Sequence, residues 1–399
     1  MHALHRLGIT LGLASTLAAG CGGNDLPPDQ DGGSTLDSGP GHDAASTRDT
    51  GVPPTDTGVP PTDTGIPPTD TGVPPADTGT DAFVATPDTG SSGGCGGGPA
   101  CVAPFTCAAG GYCASASGVP AFDHIYTVVF ENRSLTSVMG HATYFDMLTA
   151  MGASASNYVS VAHPSLPNYI AMTSGNIWGD SCDCHPGTSD SCNAGTCSIV
   201  GGFCACEHDV MHLGDQLDAA SITWREYGEG MTTPCNSADA SATHYAVRHL
   251  PFMYYTNVLS NMARCTAHVR DYADFAADRG SYRFTMISPN LCNDMHDTCG
   301  GDAVTHGDTW ASTNLAPILA QPGFATGGHD VLFVVFDEED GSRGNAPIPF
   351  IVVSPLVHAG TVTAAAYNHY SLLATWEDSM GLPRLSMAVG APAISDIWR

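Results

Sequence analysis

Carboxylates, amides and imidazoles follow three short apolar runs of this 399-residue chain, at the point where each run ends. Glu131 and Asn132 come directly after the first run. The second run is followed by Asn290, Asn293, Asp294, His296 and Asp297, and the third by Asp337, Glu338, Glu339 and Asp340. Carboxylates and imidazoles are ligands that divalent metals take from proteins. The pattern therefore predicts a centre for one or two divalent ions, assembled from separate segments of the chain.

The apolar runs are short and rich in β-branched residues, which is typical of strands buried on both faces. They cover residues 125–130, 283–288, 331–336 and 350–354. Such strands are found in parallel sheets. We therefore predict an α/β fold with a mostly parallel central sheet and helices on both faces. In open α/β sheets, ligands bind outside the carboxyl ends of the strands, where these polar residues would converge.

Ser165 is a candidate nucleophile because of its place in the segment 161–175. Pro167, followed by Asn168-Tyr-Ile-Ala-Met, indicates a helix that opens with proline in its first turn. Ser165 would then lie at or just before the helix N-terminus, where free N–H groups and a partial positive charge favour an anion such as phosphate. Taken alone, a serine there is also explained as a helix cap.

The neighbouring candidates favour a nucleophile. A serine needs activation, and a metal bound by Glu131, Asp337 and Glu338 would supply it by holding the hydroxyl as an alkoxide. The same cation would neutralise charge on a phosphoryl group. Asn132 and Asn168 would donate hydrogen bonds to the nonbridging oxygens.

The charge balance is strongly acidic. Forty acidic residues stand against twelve basic ones, all of them arginine, for a formal net charge of −28. This balance argues against nucleic acid or an anionic membrane surface as an electrostatic partner. Any membrane contact is expected only through an N-terminal lipid.

The N-terminus predicts export. An apolar stretch at 7–19 is too short to span a bilayer and is typical of a signal peptide, which we place at 1–20. Leu17-Ala-Ala-Gly-Cys21 resembles the lipobox of bacterial lipoproteins, which implies lipidation of Cys21 and a place in the outer membrane, periplasm or cell surface. The alternative is a cleaved signal and a secreted protein. Residues 21–94 carry Gly-Val-Pro-Pro-Thr-Asp-Thr repeats and predict a disordered, extended stalk.

Cysteine usage agrees with an oxidising compartment, since fourteen cysteines remain beside Cys21. A module at 95–117 contains four of them and predicts two disulfides, with a four-thiolate zinc site as the alternative. An insertion at 180–208 contains six, for which three disulfides or a zinc site with nearby histidines are open. Cys292 and Cys299 flank Asp294 and His296 and would pin that loop. The catalytic domain is assigned to 118–399.

Six ordered motifs resemble the phosphoesterase family that contains bacterial phospholipases C and acid phosphatases. They run over most of the globular part of the chain and lie at 131–134, 163–169, 289–297, 307–310, 337–338 and 367–373. The family belongs to the alkaline-phosphatase-like superfamily, in which a serine or threonine is phosphorylated beside one or two metals. His249, before Leu250-Pro-Phe252, resembles a His-x-Pro segment of the family and is kept as a further candidate.

The resemblance implies a role for each candidate. Ser165 would be the nucleophile, and His369 would ligate a metal or protonate the leaving group. The implied phosphate contacts are Asn132, Asn168 and His163, and the implied metal ligands are Glu131, Asp294, His296, Asp337 and Glu338, with His296 also a catalytic candidate. The Asp337-Glu338 pair stands where the superfamily commonly has Asp-His, so the number and identity of the metals stay open.

The sequence thus predicts a metal-dependent phosphoesterase, similar to acid phosphatases, that hydrolyses phosphate monoesters of small molecules or lipids through a phosphoserine. Phospholipase C or another phosphodiesterase is the alternative within the same chemistry. A non-catalytic surface protein on this scaffold is the alternative of a different class.

Overall fold

The apolar runs predicted as strands form the middle of one large sheet in the computed structural model, which describes residues 94–187, 207–341 and 346–399. The signal peptide, Cys21, the stalk up to residue 93 and most of the insertion at 180–208 lie outside the described residues. The strands are β1 Thr106–Cys107, β2 Cys113–Ala114, β3 Ile125–Phe130, β4 Ala153–Ala155, β5 Tyr158–Val159, β6 Trp224–Gly228, β7 Val269–Asp271, β8 Phe284–Ser288, β9 Val331–Phe336, β10 Phe350–Val353, β11 Thr361–Thr363 and β12 Tyr367–Asn368.

Helices connect most of these strands. They are α1 Leu135–Val138, α2 Thr143–Met151, α3 Ser165–Ser174, α4 Leu213–Ala219, α5 Thr256–Leu259, α6 Met262–His268, α7 Phe275–Asp278, α8 Ala303–Asn314, α9 Ala316–Leu319 and α10 His369–Met380. Among the described residues, no helix is long and apolar enough to cross a membrane.

The large sheet has the order β11-β4-β10-β9-β3-β8-β6-β7. The run from β9 to β7 is parallel throughout, and β11 is parallel to β4. This confirms the prediction of a mostly parallel sheet. β10 differs, since it is antiparallel to both β9 and β4. Parallel pairing needs a crossover, usually a helix, and the described residues between β9 and β10 contain none.

Helices cover both faces of the sheet. The two faces can be told apart because successive side chains of a strand point to opposite faces. Phe130 of β3 packs against Phe145 of α2 and Trp310 of α8, with ring centroids 5.0 and 5.9 Å apart. On the other face, Phe284 of β8 packs against Trp376 of α10 at 5.1 Å. Phe284 pairs with Ile125 of β3. Ile125 and Phe130 are five residues apart on that strand, so their side chains point to opposite faces. The central strands are therefore buried on both sides, as their composition predicted.

The cysteine module at 95–117 contains the two disulfides that the sequence predicted, and the structure shows that they pair Cys95 with Cys107 and Cys101 with Cys113. Each of its sulfurs is therefore engaged, and the four-thiolate zinc alternative is wrong. Tyr112 donates a hydrogen bond to the backbone oxygen of Arg399, so the module packs against the C-terminus of the chain. A further disulfide, Cys235–Cys265, was not anticipated.

The neighbouring strands β3 and β9 end at the same level of the sheet, since Phe130 pairs with Phe336. The amide of Asp337 donates to the carbonyl of Phe130 at 3.0 Å, and the amide of Glu131 donates to the carbonyl of Asp294 at 2.8 Å. Backbone hydrogen bonds therefore join three segments that are far apart in the chain, at the carboxyl ends of the central strands.

Candidate active site

Ser165 is the first residue of α3, and its hydroxyl points at a buried carboxylate. Ser165 Oγ donates a hydrogen bond to Glu131 Oε2 at 2.8 Å, and both side chains are almost completely excluded from solvent. The helix opens two residues before Pro167, so the predicted place of Ser165 at the helix N-terminus is confirmed. The other oxygen of Glu131 accepts a hydrogen bond from Tyr169, one turn further along α3.

His249 bridges two of the predicted acidic residues. Its Nε2 lies 3.3 Å from Glu131 Oε1 and its Nδ1 lies 3.3 Å from Asp294 Oδ2. The ring stacks on Tyr169, with centroids 5.3 Å apart. Candidate ligand atoms of Glu131, His249 and Asp294 all lie within 4.8 Å of one another, and all three residues are buried. This is the arrangement a small cation requires from its ligands.

Asp337 completes the cluster from the end of β9. Its Oδ1 accepts the backbone N–H of Asn132 at 3.0 Å, and its carboxylate lies beside Glu131 and Ser165. Asn132 adopts a positive φ of 46°, a conformation that asparagine tolerates better than most residues. This backbone turn brings Asn132 and Asp337 to the same point.

Several buried polar atoms at the carboxyl ends of these strands have no hydrogen-bond partner among the described residues. They include Asn132 Oδ1, His249 Nε2, Asp294 Oδ2 and Asp337 Oδ2. Buried polar atoms are normally satisfied, since an unpaired one costs about 1–3 kcal/mol. Lone pairs left open together on carboxylates and an imidazole are the donor set of a hard or borderline divalent ion. The residues present therefore fit the metal that the sequence predicted.

The electrostatics of the cluster point the same way. Burial, followed by the charges of Asp337 and Asp294, raises the pKa of Glu131 well above its usual range. Burial also raises the pKa of Asp294 and of Asp337. Burial lowers the pKa of His249, with Arg248 adding to the shift. Carboxylates packed together in this way stay ionised only beside a compensating positive charge.

Glu338, predicted as a metal ligand, faces His163. His163 Nδ1 lies 2.6 Å from Glu338 Oε2, and His163 Nε2 lies 3.0 Å from Glu339 Oε1. Glu339 also accepts a hydrogen bond from Ser160 at 3.1 Å. Burial raises the pKa of Glu338 to about 10, and the charge of Asp337 adds to this. The imidazole of His163 thus links two carboxylates of the loop after β9.

Asn168, predicted to contact phosphate, is engaged with backbone. Its Oδ1 accepts from the amides of Val161 and Ala162 at 3.0 Å each. Its Nδ2 donates to the carbonyls of Ala162 and Pro164, at 2.9 and 3.2 Å. The side chain therefore closes the loop before α3, on which the position of Ser165 depends.

Both ring nitrogens of His369, predicted as a catalytic residue, are occupied. Nε2 donates to the backbone carbonyl of Asp337 at 2.6 Å, and Tyr158 OH lies 3.1 Å from Nδ1. The residue is fully buried at the start of α10, and burial lowers its pKa to about 4. His369 contacts the cluster through the backbone that carries Asp337.

His296 is the more accessible histidine at the site. Its side chain is 27% exposed, and its Nδ1 lies 2.7 Å from Asp297 Oδ1. Its ring centroid is 6.2 Å from that of His249. The other ring nitrogen, Nε2, makes no hydrogen bond to the described part of the chain.

The predicted disulfide Cys292–Cys299 pins the loop that carries Asp294 and His296. Glu229, at the end of β6, holds the same loop by accepting from the Asn290 amide and from Asn293 Nδ2, each at 2.9 Å.

The motif at 307–310 is explained by packing around this loop. A side chain on Gly307 would approach Met295 Cγ to 2.3 Å, and Trp310 Nε1 donates to Glu229 at 3.1 Å. Asp308 accepts from the amides of Tyr144 and Phe145 at the start of α2, at 2.8 and 3.2 Å. The motif is therefore structural.

Three residues of the site carried little signal in the sequence. Tyr169 was covered only by the motif around Ser165. Asp183 belongs to the insertion at 180–208, yet its Oδ1 accepts the backbone N–H of Leu166 at 2.9 Å, beside Ser165. Arg248 precedes His249 and lies 3.5 Å from Asp183. An isolated arginine or aspartate has no spacing pattern, so only the folded chain reveals these contacts.

Comparison with known proteins assigns the family. The model of the phosphoesterase family matches residues 141–383. The phosphatidylinositol-3-phosphatase of Mycobacterium tuberculosis is 31% identical over 71% of this chain and 85% of its own length. A probable acid phosphatase of Kluyveromyces lactis is 26% identical over 69% of this chain, which spans 62% of that protein. The solved structure of a Vibrio parahaemolyticus protein in the alkaline phosphatase superfamily aligns with a TM-score of 0.47 at 11% identity. The alignment covers 70% of this chain and 71% of the Vibrio chain.

The family match covers more than half of the chain, and the mycobacterial relative covers more than two thirds of it at over 30% identity. The relatives are named as phosphatases. The chain therefore belongs to the phosphoesterase family and is a hydrolase that acts on phosphate esters.

Proposed function

We propose that this enzyme is a metal-dependent phosphomonoesterase that works through a phosphoserine at Ser165. The observation that carries the proposal is the hydrogen bond from Ser165 Oγ to Glu131, inside a buried cluster of carboxylates and imidazole with open lone pairs. A serine that serves only as a helix cap has no need of such surroundings.

Glu131, His249, Asp294 and Asp337 would hold the metal. A divalent cation there would lower the pKa of the serine hydroxyl and neutralise negative charge on the phosphoryl group. His249 replaces His296 in the proposed ligand set, because His249 is buried between Glu131 and Asp294 whereas His296 is half-buried at the rim.

Ser165 Oγ attacks phosphorus, and an oxygen–phosphorus bond forms as the bond to the substrate's alcohol oxygen breaks. Glu131 Oε2 orients the hydroxyl and accepts its proton. His296, whose Nδ1 is held by Asp297, gives a proton to the leaving alkoxide from Nε2. Water then attacks phosphorus and gives a proton to His296, the bond from phosphorus to Ser165 Oγ breaks, and Glu131 returns its proton to Oγ, which releases phosphate and restores the hydroxyl.

We assign positioning roles to three other residues. Asn168 closes the loop that presents Ser165, and His369 supports the backbone of Asp337. His163 links Glu338 and Glu339. Asn132 remains the proposed phosphate contact. Its side-chain amide makes no hydrogen bond to a described residue, and its backbone N–H donates to Asp337.

A phosphate monoester is the proposed substrate class, since both sequence relatives are named as phosphatases. The mycobacterial relative is named for a phosphorylated lipid headgroup, which extends the class from small molecules to lipids. We also propose that the enzyme is exported and tethered through Cys21. The disulfides among the described residues support an oxidising compartment.

The test is hydrolysis of p-nitrophenyl phosphate by the purified protein, with and without chelator and added divalent metals. We expect activity that chelator removes and metal restores, and no turnover by the Ser165→Ala variant. Ser174→Ala, at the far end of the same helix, is the matched control and should remain active. Near-normal activity of Ser165→Ala would refute the nucleophile, and inactivity of the wild type under all conditions would favour a binding protein.

A further inference from the structure

The site is rich in negative charge, and its substrate is also an anion. Glu131, Asp294, Asp337 and Glu338 are buried there, and the chain contains no lysine. If the proposed function is correct, the phosphoryl oxygens need a cationic partner from the protein besides any metal. Arg248 acts on these carboxylates, since burial raises the pKa of Asp294 and the charge of Arg248 opposes that shift.

Arg248 is held near the cluster, and its donors make no hydrogen bond to the part of the chain that the structure describes. Its side chain is only 16% exposed. Nε lies 3.5 Å from Asp183 and Nη1 lies 3.9 Å from Asp239, and Nε makes no hydrogen bond. A guanidinium presents a planar fork that matches two oxygens of a phosphate. Arg133, which follows Asn132, donates a hydrogen bond from Nη1 to the Asn132 carbonyl at 3.4 Å.

Asp183 connects the guanidinium to the residue that follows the nucleophile. One carboxylate oxygen of Asp183 accepts the N–H of Leu166, the residue after Ser165, and the other faces Arg248 Nε. One carboxylate therefore separates the guanidinium from the N-terminus of α3, where a phosphoryl group on Ser165 would lie. Asp183 stands between Cys182 and Cys184, which are both disulfide-bonded. The insertion thus contributes a residue to the site.

We propose that Arg248 binds two nonbridging oxygens of the substrate's phosphate and that Asp183 is the positioning residue that orients it. Three terminal oxygens and two negative charges distinguish a monoester from a diester, which has two such oxygens and one charge. A guanidinium at this place favours the dianion. The pair Asp183–Arg248 therefore contributes to binding of the substrate's phosphate, and Asp183, near the start of the cysteine-rich insertion, takes part in substrate recognition.

The experiment measures Arg248→Met, Arg248→Lys and Asp183→Asn in the full-length chain loaded with metal. For Arg248→Met we expect kcat/KM on p-nitrophenyl phosphate to fall by about 10- to 100-fold, the worth of hydrogen bonds to a charged group. The inhibition constant of inorganic phosphate should rise in parallel. Arg248→Lys should recover part of the loss, because it keeps the charge without the fork. Asp183→Asn keeps an acceptor for Leu166 and should raise KM by less.

Arg270→Met is the matched control, since Arg270 lies on the edge strand β7, is partly exposed and pairs with Asp274, which follows that strand. It should leave both constants unchanged, and thermal melting should show that all variants fold. Unchanged phosphate inhibition in Arg248→Met would overturn the proposal. Calorimetric titration of inorganic phosphate tests the same contact without turnover. Loss of phosphate binding in Arg248→Met, in a protein that fails to hydrolyse any ester, would refute the proposed function and leave this inference standing.

Discussion

Two regions of the sheet contain buried carboxyl groups in opposite surroundings. At the carboxyl ends of the central strands β3 and β9, Glu131 lies among Asp294, Asp337 and His249. In the interior of β6, Glu226 is fully buried, and both of its carboxylate oxygens lack a hydrogen-bond partner. Burial raises the pKa of both glutamates well above the usual range. The charges of other carboxylates raise the pKa further only for Glu131.

The comparison shows that a raised pKa by itself does not identify a functional site. For Glu226 the cause is burial, opposed by the nearby amide of Phe252, and its charge acts on the phenols Tyr245 and Tyr255 among the described residues. For Glu131, neighbouring acids converge with an imidazole and a serine. A bound cation would reverse the shift at Glu131 and leave Glu226 protonated.

The largest effect is expected from Asp294→Asn. This change removes an anionic ligand from the cluster, and kcat/KM should fall by roughly 10³-fold, since metal catalysis is worth several kcal/mol. The measurement is steady-state hydrolysis of p-nitrophenyl phosphate at saturating metal. Glu226→Gln is the control and should retain near-normal activity. Equal losses in the two variants would contradict the distinction drawn between the regions.

Metal should also stabilise the fold. A divalent ion at 100 times its dissociation constant adds about 2.7 kcal/mol to the free energy of unfolding, provided that it binds only the folded state. Thermal melting with and without metal measures this shift. The wild type and Glu226→Gln should show it, whereas Asp294→Asn should not. A shift of equal size in all three would place the metal elsewhere.

The disulfide Cys292–Cys299 should matter at one region only, because it pins the loop that carries Asp294. Closing a short loop contributes about 2 kcal/mol in the chain-entropy description. We expect the double change to serine to lower stability by that order and to raise the metal concentration needed for half-maximal activity. The same change at Cys235–Cys265, which joins a different part of the chain, should lower stability without altering the metal requirement.

The smallest effect is the pH dependence contributed by Glu226. The folded state keeps a proton that the unfolded state releases above the ordinary pKa of 4.5. Stability therefore falls as pH rises through this window, by at most about 1.4 kcal/mol per pH unit. Glu226→Gln should make this slope shallower, and saturating metal should not. Denaturant unfolding across the pH range measures the slopes, and identical slopes in the wild type and the variant would show that Glu226 ionises in the fold.

Much of the fold followed from local pattern. The β-branched composition of 125–130 and 331–336 predicted strands with the bounds observed, and the polar residues after them predicted where Glu131 and Asp337 meet. The antiparallel direction of β10 did not follow, because a strand's direction depends on how its connection crosses the sheet.

The site was predicted in part. Glu131, Ser165, Asp294 and Asp337 do converge, whereas Asn168 and His369 bond to backbone around them. Sequence similarity shows which residues recur in a family, and it does not separate residues that contact a substrate from residues that hold a loop. Those roles differ only in which atoms the side chain faces.

The chain alone determined the strand composition, the presence of two disulfides in the module at 95–117, and the residue types able to bind a metal. These properties are local, since they depend on side-chain chemistry and on neighbours a few positions away. Only the tertiary structure decided that His249 joins the carboxylates and that Asp183 sets Arg248 beside α3. Contacts between distant segments depend on sheet order and loop path, because the free energy that selects them comes from the packing of the whole domain.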